Sequence, residues 1–183
     1  MYIALGIFIV VILGIIALIA KIPIKQFVKA VKEPALIAFS TTSSEAALPK
    51  AMISMENFGV PRRIVALVLP TGYSFNLDGS TLYLALASMF VAQAAGVHLS
   101  ILQQVVMMLT LMLTSKGVAG VPRSSLVILA GTLTTFGLPL EGVAVVLGVD
   151  AIMDMGRTTL NVVGNCLASA VVARWEGELK LQV

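Results

Sequence analysis

The sequence predicts an all-α membrane protein in which transmembrane helices are packed with a broken helix and two oppositely oriented re-entrant helical hairpins. Three observations carry this prediction. Of the 183 residues, 58% are hydrophobic and only 11% charged, against roughly 25% charged in an ordinary soluble domain. The basic residues gather at the ends of apolar stretches, as the positive-inside rule expects of cytoplasmic segments. Several apolar stretches are also cut by polar, glycine and proline residues into arms shorter than the ~20 residues a helix needs to cross a bilayer.

Composition also excludes some functions. The net charge of +3 invites an anionic partner, but the basic residues are scattered among apolar runs and make no nucleic-acid stripe. Cys166, the single cysteine, has no internal disulfide partner and sits in an apolar helical pattern, which suits packing. No nucleophile stands beside a base, no group has metal-ligand spacing, and the one histidine, His98, falls at an interface position. An enzyme is therefore not expected, and neither a catalytic residue nor a cofactor is assigned.

Residues 1–20 have no basic residue ahead of their apolar stretch and are long enough to cross a bilayer, so they read as a transmembrane helix and not as a signal peptide. The abrupt start and the small number of complete spans predict that earlier helices precede this chain in a longer protein. Lys21, Lys25, Lys29 and Lys32 follow at helical spacing, and Lys50, Arg62 and Arg63 follow the next apolar stretch; both groups should face the cytoplasm. Between them, residues 34–60 contain Pro34, a TTSSE run and Pro49. Their short arms predict a hairpin that enters and leaves on one side.

Residues 64–95 are long enough to cross but are interrupted by Asn76, Asp78 and Gly79, with Pro70 and Gly72 just before. This is a broken helix, tolerable at membrane depth only where protein or a water-filled cavity satisfies the freed backbone. Residues 99–140 form a second short-armed hairpin with SKGVAGVPRSS at its tip, entering from the opposite face. Residues 143–172 cross back, and Arg174 and Lys180 mark the cytoplasmic exit. Half-helix ends that meet near the midplane make solute and ion sites in secondary transporters. Channels also contain re-entrant loops and remain the alternative at this point.

In the last helix Asp150, Asp154, Arg157, Thr158, Asn161 and Asn165 share one face. A polar stripe in a lipid-spanning helix must face a cavity or a partner. Arg157 offers a rigid fork that holds a carboxylate and stays charged; the plainer alternative is a structural ion pair with Asp154. Asp78 and Asn76 occupy the helix break, where freed carbonyls and a carboxylate suit a hard cation. The plainer alternative there is that Asp78 caps exposed amides.

The TTSSEAALP tip places hydroxyls and amide donors at a half-helix start, where the dipole favours an anion. Glu45, if buried at that tip, is a candidate proton carrier; a surface role is the alternative. Gly117, Gly120 and Pro122 make either a mobile turn that closes over a ligand or simply a tight loop. Lys116 and Arg123 beside them either draw anions inward or act as unspecific surface charges.

TTSSEAALP, PTGYSFNLDGSTLY, SKGVAGVP and DMGRTTLNVVGN, in this order and spacing, together resemble the motifs of the dicarboxylate/amino acid:cation symporter family. The likeness covers nearly the whole chain. It implies an inverted-repeat transport domain that moves as an elevator against a trimeric scaffold contributed by earlier helices. It also implies that Ser44 and Asn161, with Ser43 and Ser80 beside them, bind a substrate's main-chain carboxylate. Asp154 would bind its ammonium group and Arg157 its side-chain carboxylate, with Thr158 and the backbone near Val121 and Ser125 completing the pocket. Asn76, Asp78, Asn161 and Asn165 would be cation ligands. The second hairpin would be the gate, through Ser115, Gly117, Gly120 and Pro122.

Several positions depart from the family pattern. Sodium-coupled members often have aspartate where Asn165 stands, and Leu84 replaces the acid that mammalian members use for proton coupling. Thr42 and Met155 stand where some members carry arginine, and Leu77 and Ser80 replace methionine and threonine. With Glu45 present, the pattern resembles most the bacterial proton-coupled glutamate/aspartate group. The resemblance thus implies a bacterial inner-membrane symporter of acidic amino acids coupled to protons or sodium, a homotrimer when full length. A C4-dicarboxylate symporter is the rival, and Asp154 discriminates, because an uncompensated carboxylate beside a second substrate carboxylate repels it.

Overall fold

Eighteen consecutive apolar residues without a charge form one helical rod, Tyr2–Ile19, composed of α1 (Tyr2–Ile7), a π-helical stretch (Phe8–Leu13) and α2 (Gly14–Ile19). The computed structural model describes residues 1–118 and 124–181, and these are helical without a strand. The rod's mean hydropathy is 3.1 and only 17% of it is buried in protein, so its side chains require an apolar surrounding. The rod ends in a Schellman turn: the Ile22 amide donates to Ala17 at 2.8 Å and the Lys21 amide to Leu18 at 3.0 Å. Lys21 takes the left-handed position of that turn, with φ of 54°.

Two helices then fold back on one another, α3 (Ile24–Thr41) and α4 (Ser44–Phe58), joined through Thr42 in the left-handed region. The sequence reading begins this hairpin at residue 34, but the helix starts at Ile24 and runs through Pro34. A proline inside a helix forfeits a hydrogen bond and clashes with the preceding turn. Here Pro34 is buried and α3 packs along both α4 and the last helix, so tertiary packing overrides the local penalty. Lys25, Lys29 and Lys32 therefore lie on the hairpin's first arm.

The broken helix consists of α5 (Arg62–Phe75) and α6 (Asp78–Ala94), interrupted at Asn76 and Leu77. Asp78 and Gly79 belong to the first turn of α6, and Pro70 and Gly72 lie inside α5. At ~1.5 Å per residue the halves are about 21 and 26 Å long, each short of the ~30 Å hydrocarbon core. A Ser100/Gln103 capping box starts α7 (Ile101–Thr114), which tightens into a 3-10 turn at Ser115–Val118; α8 (Ser124–Thr135) follows. The expected gate residues Gly120 and Pro122, and Val121, lie outside the described residues, as does Arg123.

The long α9 (Glu141–Trp175) threads the molecule and unites two apolar cores. One contains Met55, Val65, Leu69, Leu160, Cys166 and Ala170 from α4, α5 and the second half of α9. The other contains Leu84, Leu111, Leu129, Leu133 and Val146 from α6, α7, α8 and the first half of α9. Of the described helices only Tyr2–Ile19 is long and apolar enough to cross a membrane alone. The reason is visible in α9, whose buried polar residues from Asp150 to Asn165 lower its hydropathy.

Candidate functional site

Between the two cores α9 presents its polar stripe. Asp150, Arg157, Thr158, Asn161 and Asn165 are all buried, Arg157 to 3% exposure, whereas Asp154 keeps 19% of its side chain open. Arg157 Nε donates to Asp154 Oδ1 at 2.8 Å, and its Nη1 donates to Asp150 Oδ1 at 3.3 Å. The guanidinium carbon also stands 4.3 Å from the centroid of the Tyr83 ring, a cation–π distance. Tyr83 Oη donates to the same Asp150 oxygen at 2.6 Å, and Thr158 Oγ1 donates to Asp154 Oδ1 at 3.0 Å.

The sequence reading offers Arg157 either as a free fork for a carboxylate or as the partner of Asp154. The structure shows the ion pair formed and adds a second acid, Asp150. Nη2 of Arg157 and Oδ2 of Asp154 have no hydrogen-bond partner among the described residues. One side chain thus retains donors for an anion and its neighbour an acceptor for a cation.

The helix break is pressed against this stripe because two glycines permit it. A Cβ on Gly79 would lie 2.2 Å from the Arg157 carbonyl oxygen, and one on Gly72 would lie 2.0 Å from Asn165 Oδ1. Only glycine, with no Cβ, admits so close an approach. In consequence the Gly79 amide donates to Asn161 Oδ1 at 2.7 Å, and Asn161 Nδ2 donates to Ser80 Oγ at 3.0 Å. Asn165 Nδ2 reaches the Asn76 carbonyl at 3.3 Å and the Asn161 carbonyl at 2.9 Å.

Asn76 satisfies its surroundings with its amide nitrogen turned to Asp78, 2.8 and 3.0 Å from the two carboxylate oxygens. Asp78 does not cap α6: the cap position is Leu77, without a side-chain hydrogen bond. The carboxylate stands beside α9, where Asp78 Oδ2 is 3.1 Å from the position a Cβ on Gly164 would take. Carboxylate, carbonyl and amide oxygens at one helix break form a donor set of the kind hard cations take.

The turns before α4 and after α7 carry the remaining expected site residues. Ser43 caps α4, its Oγ accepting from the Ala46 amide at 3.2 Å and donating to Glu45 Oε2 at 3.0 Å. Of the two placements the sequence left open for Glu45, buried or at the surface, the structure shows it exposed in the first turn of α4. Ser44 is half-buried. At the other tip Ser115 is fully buried, with its Oγ 3.3 Å from Thr81 Oγ1 on α6, and Lys116 Nζ donates to the Phe75 carbonyl at 2.5 Å. That lysine reaches the break itself, so it is not a loose surface charge. Ser125, at the start of α8, is buried at 7%; of Gly117 the backbone alone is described.

Two participants escaped the sequence reading. Asp150 was visible as part of the stripe but carried no role, and Tyr83 was not singled out. The only signal for Tyr83 was a lone hydroxyl in an apolar run, since its partners lie far along the chain. Tyr83 also lines a cavity of about 490 Å³ with Leu86, Phe90, Val145, Val149 and Met153. That lining is apolar apart from Tyr83 and Gln93 and does not match a carboxylate ligand.

Comparison with known proteins bears on this geometry. The profile of the family described as "Sodium:dicarboxylate symporter family" matches residues 1–175. The chain is 51% identical over 177 residues to the "Proton/sodium-glutamate symport protein" of Geobacillus stearothermophilus, covering 97% of this chain and 42% of that one. It is 52% identical over 169 residues to the "Proton/glutamate-aspartate symporter" of Escherichia coli, covering 92% and 39%. Against a "C4-dicarboxylate transport protein" of Erwinia tasmaniensis the identity is 46% over 179 residues, covering 97% and 42%. The chain therefore spans about two fifths of the length of these relatives.

Proposed function

The chain belongs to the sodium:dicarboxylate symporter family, a family of membrane transporters, and from that premise we propose that it is the substrate- and ion-binding part of a carrier for glutamate or aspartate. The observation that carries the proposal is the buried Arg157, shared between Asp150 and Asp154 beside the helix break. In this reading the free Arg157 donors take the substrate's side-chain carboxylate and Asp154 takes its ammonium group. Ser43, Ser44 and Asn161 take the main-chain carboxylate, with Ser80, Thr158, Ser125 and the backbone at Val121 around it.

The electrostatics explain why such a site needs a coupling cation. One guanidinium against two carboxylates leaves a formal negative charge, and Asp78 adds another, which Lys116 at the break only partly opposes. A substrate that itself carries a net negative charge meets repulsion in a poorly screened interior. A cation held by Asn76, Asp78, Asn161 and Asn165, or a proton carried by Glu45, offsets it, which makes binding of the two cooperative. Ser80, bonded to Asn161, links the substrate and cation groups directly.

In the same reading α3–α4 and α7–α8 are re-entrant hairpins entering from opposite faces of a bacterial inner membrane. The second is the gate, with Ser115 against Thr81 as its hinge-side contact. The unit travels as an elevator against scaffold helices of a longer, trimeric, multi-pass protein. The reading involves no enzymatic step.

A second reading, transport of C4-dicarboxylates, is favoured by the relatives that carry that name. Asp154, with an oxygen free beside Arg157, argues for a substrate with an ammonium group. The test is uptake of labelled glutamate by the full-length protein in proteoliposomes, at varied pH and sodium, with succinate as competitor. Saturable, cation-dependent uptake resistant to succinate is expected. Succinate prevailing would transfer the assignment to dicarboxylates, and purely conductive flux would refute a carrier.

A further inference from the structure

Lys21, Lys25, Lys29 and Lys32 are all exposed, and among the described residues none lies within ion-pair distance of a carboxylate. Several other basic residues near this end of the molecule are engaged, Lys180 being an exposed exception. Lys50 pairs with Glu33 at 2.8 Å, Arg62 stands 4.0 Å from Glu56, and Arg63 pairs with Glu178. Arg174 Nη2 donates to the Lys21 carbonyl at 3.0 Å. Glu33, next to Lys32, turns to Lys50. A topological signal needs only an excess of basic residues near a span, and it does not explain why these four share a single strip.

The strip has a built position. Lys25, Lys29 and Lys32 follow one face of α3, and Lys21 sits at the corner where the membrane-crossing rod ends. That corner is held by the Schellman hydrogen bonds and by Arg174, and α3 is pinned along α4 and α9. Lys21 adopts φ of 54°, a conformation that glycine takes without penalty and lysine does not, so an ammonium is retained where the backbone would favour its loss. Beside the lysines runs an apolar strip, Ile24 at 42% and Val28 at 57% exposure. A cationic row flanked by exposed aliphatic residues at the end of a membrane span matches a headgroup above acyl chains.

We propose that Lys21, Lys25, Lys29 and Lys32, with Ile24 and Val28, form a binding site for anionic phospholipid on the cytoplasmic face, fixing the corner between the first span and the first hairpin to the leaflet. The phosphate of the lipid answers the lysines, and the acyl chains answer the aliphatic strip. A free phosphate would satisfy only the first. The proposal rests on the membrane placement of Tyr2–Ile19 and not on the identity of the transported substrate.

The test uses full-length protein in detergent, incubated with equal phosphatidylglycerol and phosphatidylcholine, with retained lipid measured by native mass spectrometry. The wild type is expected to retain phosphatidylglycerol preferentially. Lys21→Gln, Lys25→Gln, Lys29→Gln and Lys32→Gln, introduced one after another, should weaken that retention by about fivefold per site. Arginine at all four positions should preserve it, and so should Lys50→Gln, since Lys50 is already paired. Undiminished phosphatidylglycerol retention in the fourfold glutamine protein would overturn the proposal. So would its displacement by millimolar inorganic phosphate, which would reveal a general anion site. Glutamate uptake in phosphatidylcholine vesicles is read separately, so failure of the lipid site and failure of the transport assignment are distinguishable.

Discussion

Tyr83 donates a 2.6 Å hydrogen bond to Asp150 while its ring stands 4.3 Å from the Arg157 guanidinium, so one side chain on α6 positions both members of a buried ion pair on α9. Asp150 in turn accepts from Arg157. The orientation of the arginine is therefore set by a second helix as well as by its own.

Tyr83→Phe keeps the ring and removes the hydroxyl. A hydrogen bond to a charged group contributes about 1.5–3 kcal/mol, so glutamate affinity should fall by about tenfold or more, with Arg157 still present. Isothermal titration with the full-length protein checks this; unchanged affinity would show that Tyr83 does not position Arg157.

Arg157→Ala should abolish binding of acidic substrates. It also leaves Asp150 and Asp154 without their cation, and breaking a buried pair costs about 3–5 kcal/mol, so a lowered melting temperature should accompany the loss. Arg157→Lys restores the charge without the planar fork; its expected signature is recovered stability without recovered affinity. Glutamate affinity that survives Arg157→Ala would remove the pocket assignment.

Gly79→Ala forces a Cβ to 2.2 Å from the Arg157 carbonyl oxygen, a backbone atom with no freedom to retreat. The start of α6 must shift away from α9, breaking the Gly79–Asn161 hydrogen bond. Thermal unfolding should show clear destabilisation and binding should weaken with it. Gly131→Ala, inside α8 where a Cβ meets nothing within 4 Å, should leave binding unchanged and stability no lower.

Asn165→Asp returns a formal negative charge beside Asn76 and the Asp78 carboxylate. Without a cation this adds repulsion; with one it adds a ligand. Glutamate uptake should become more dependent on sodium, read as a steeper rise in initial rate with sodium concentration. An unaltered sodium response would exclude Asn165 from the cation site.

Glu45→Gln removes the titratable group at the first hairpin tip while keeping an oxygen for Ser43 Oγ, now bonded to Glu45 at 3.0 Å. Uptake driven by a pH gradient should fall more than counterflow exchange, which needs no net proton movement. Equal losses in the two assays would count against a proton role.

Much of this molecule was legible before any coordinates. The length and apolarity of Tyr2–Ile19 mark a helix able to cross a membrane, and the spacing of Asp150 to Asn165 identifies a one-sided polar stripe, because both are properties of a single helix read along its own axis. Asn76 similarly announced a break. Burial of Arg157 also follows from the same local pattern, since lipid cannot accept that stripe.

What only tertiary structure decided is which groups meet. Pro34 marks a helix end by local rules, yet packing against α4 and α9 carries α3 through it. Whether Glu45 is buried or exposed was open in the sequence, and the fold leaves it exposed. Tyr83 finds Asp150, Gly79 finds the Arg157 backbone and Arg174 finds Lys21 across long stretches of chain. Helical periodicity encodes the face a residue occupies, because that depends on neighbours a few positions away. The partner that face meets depends on how separate helices cross, and no local spacing carries that information.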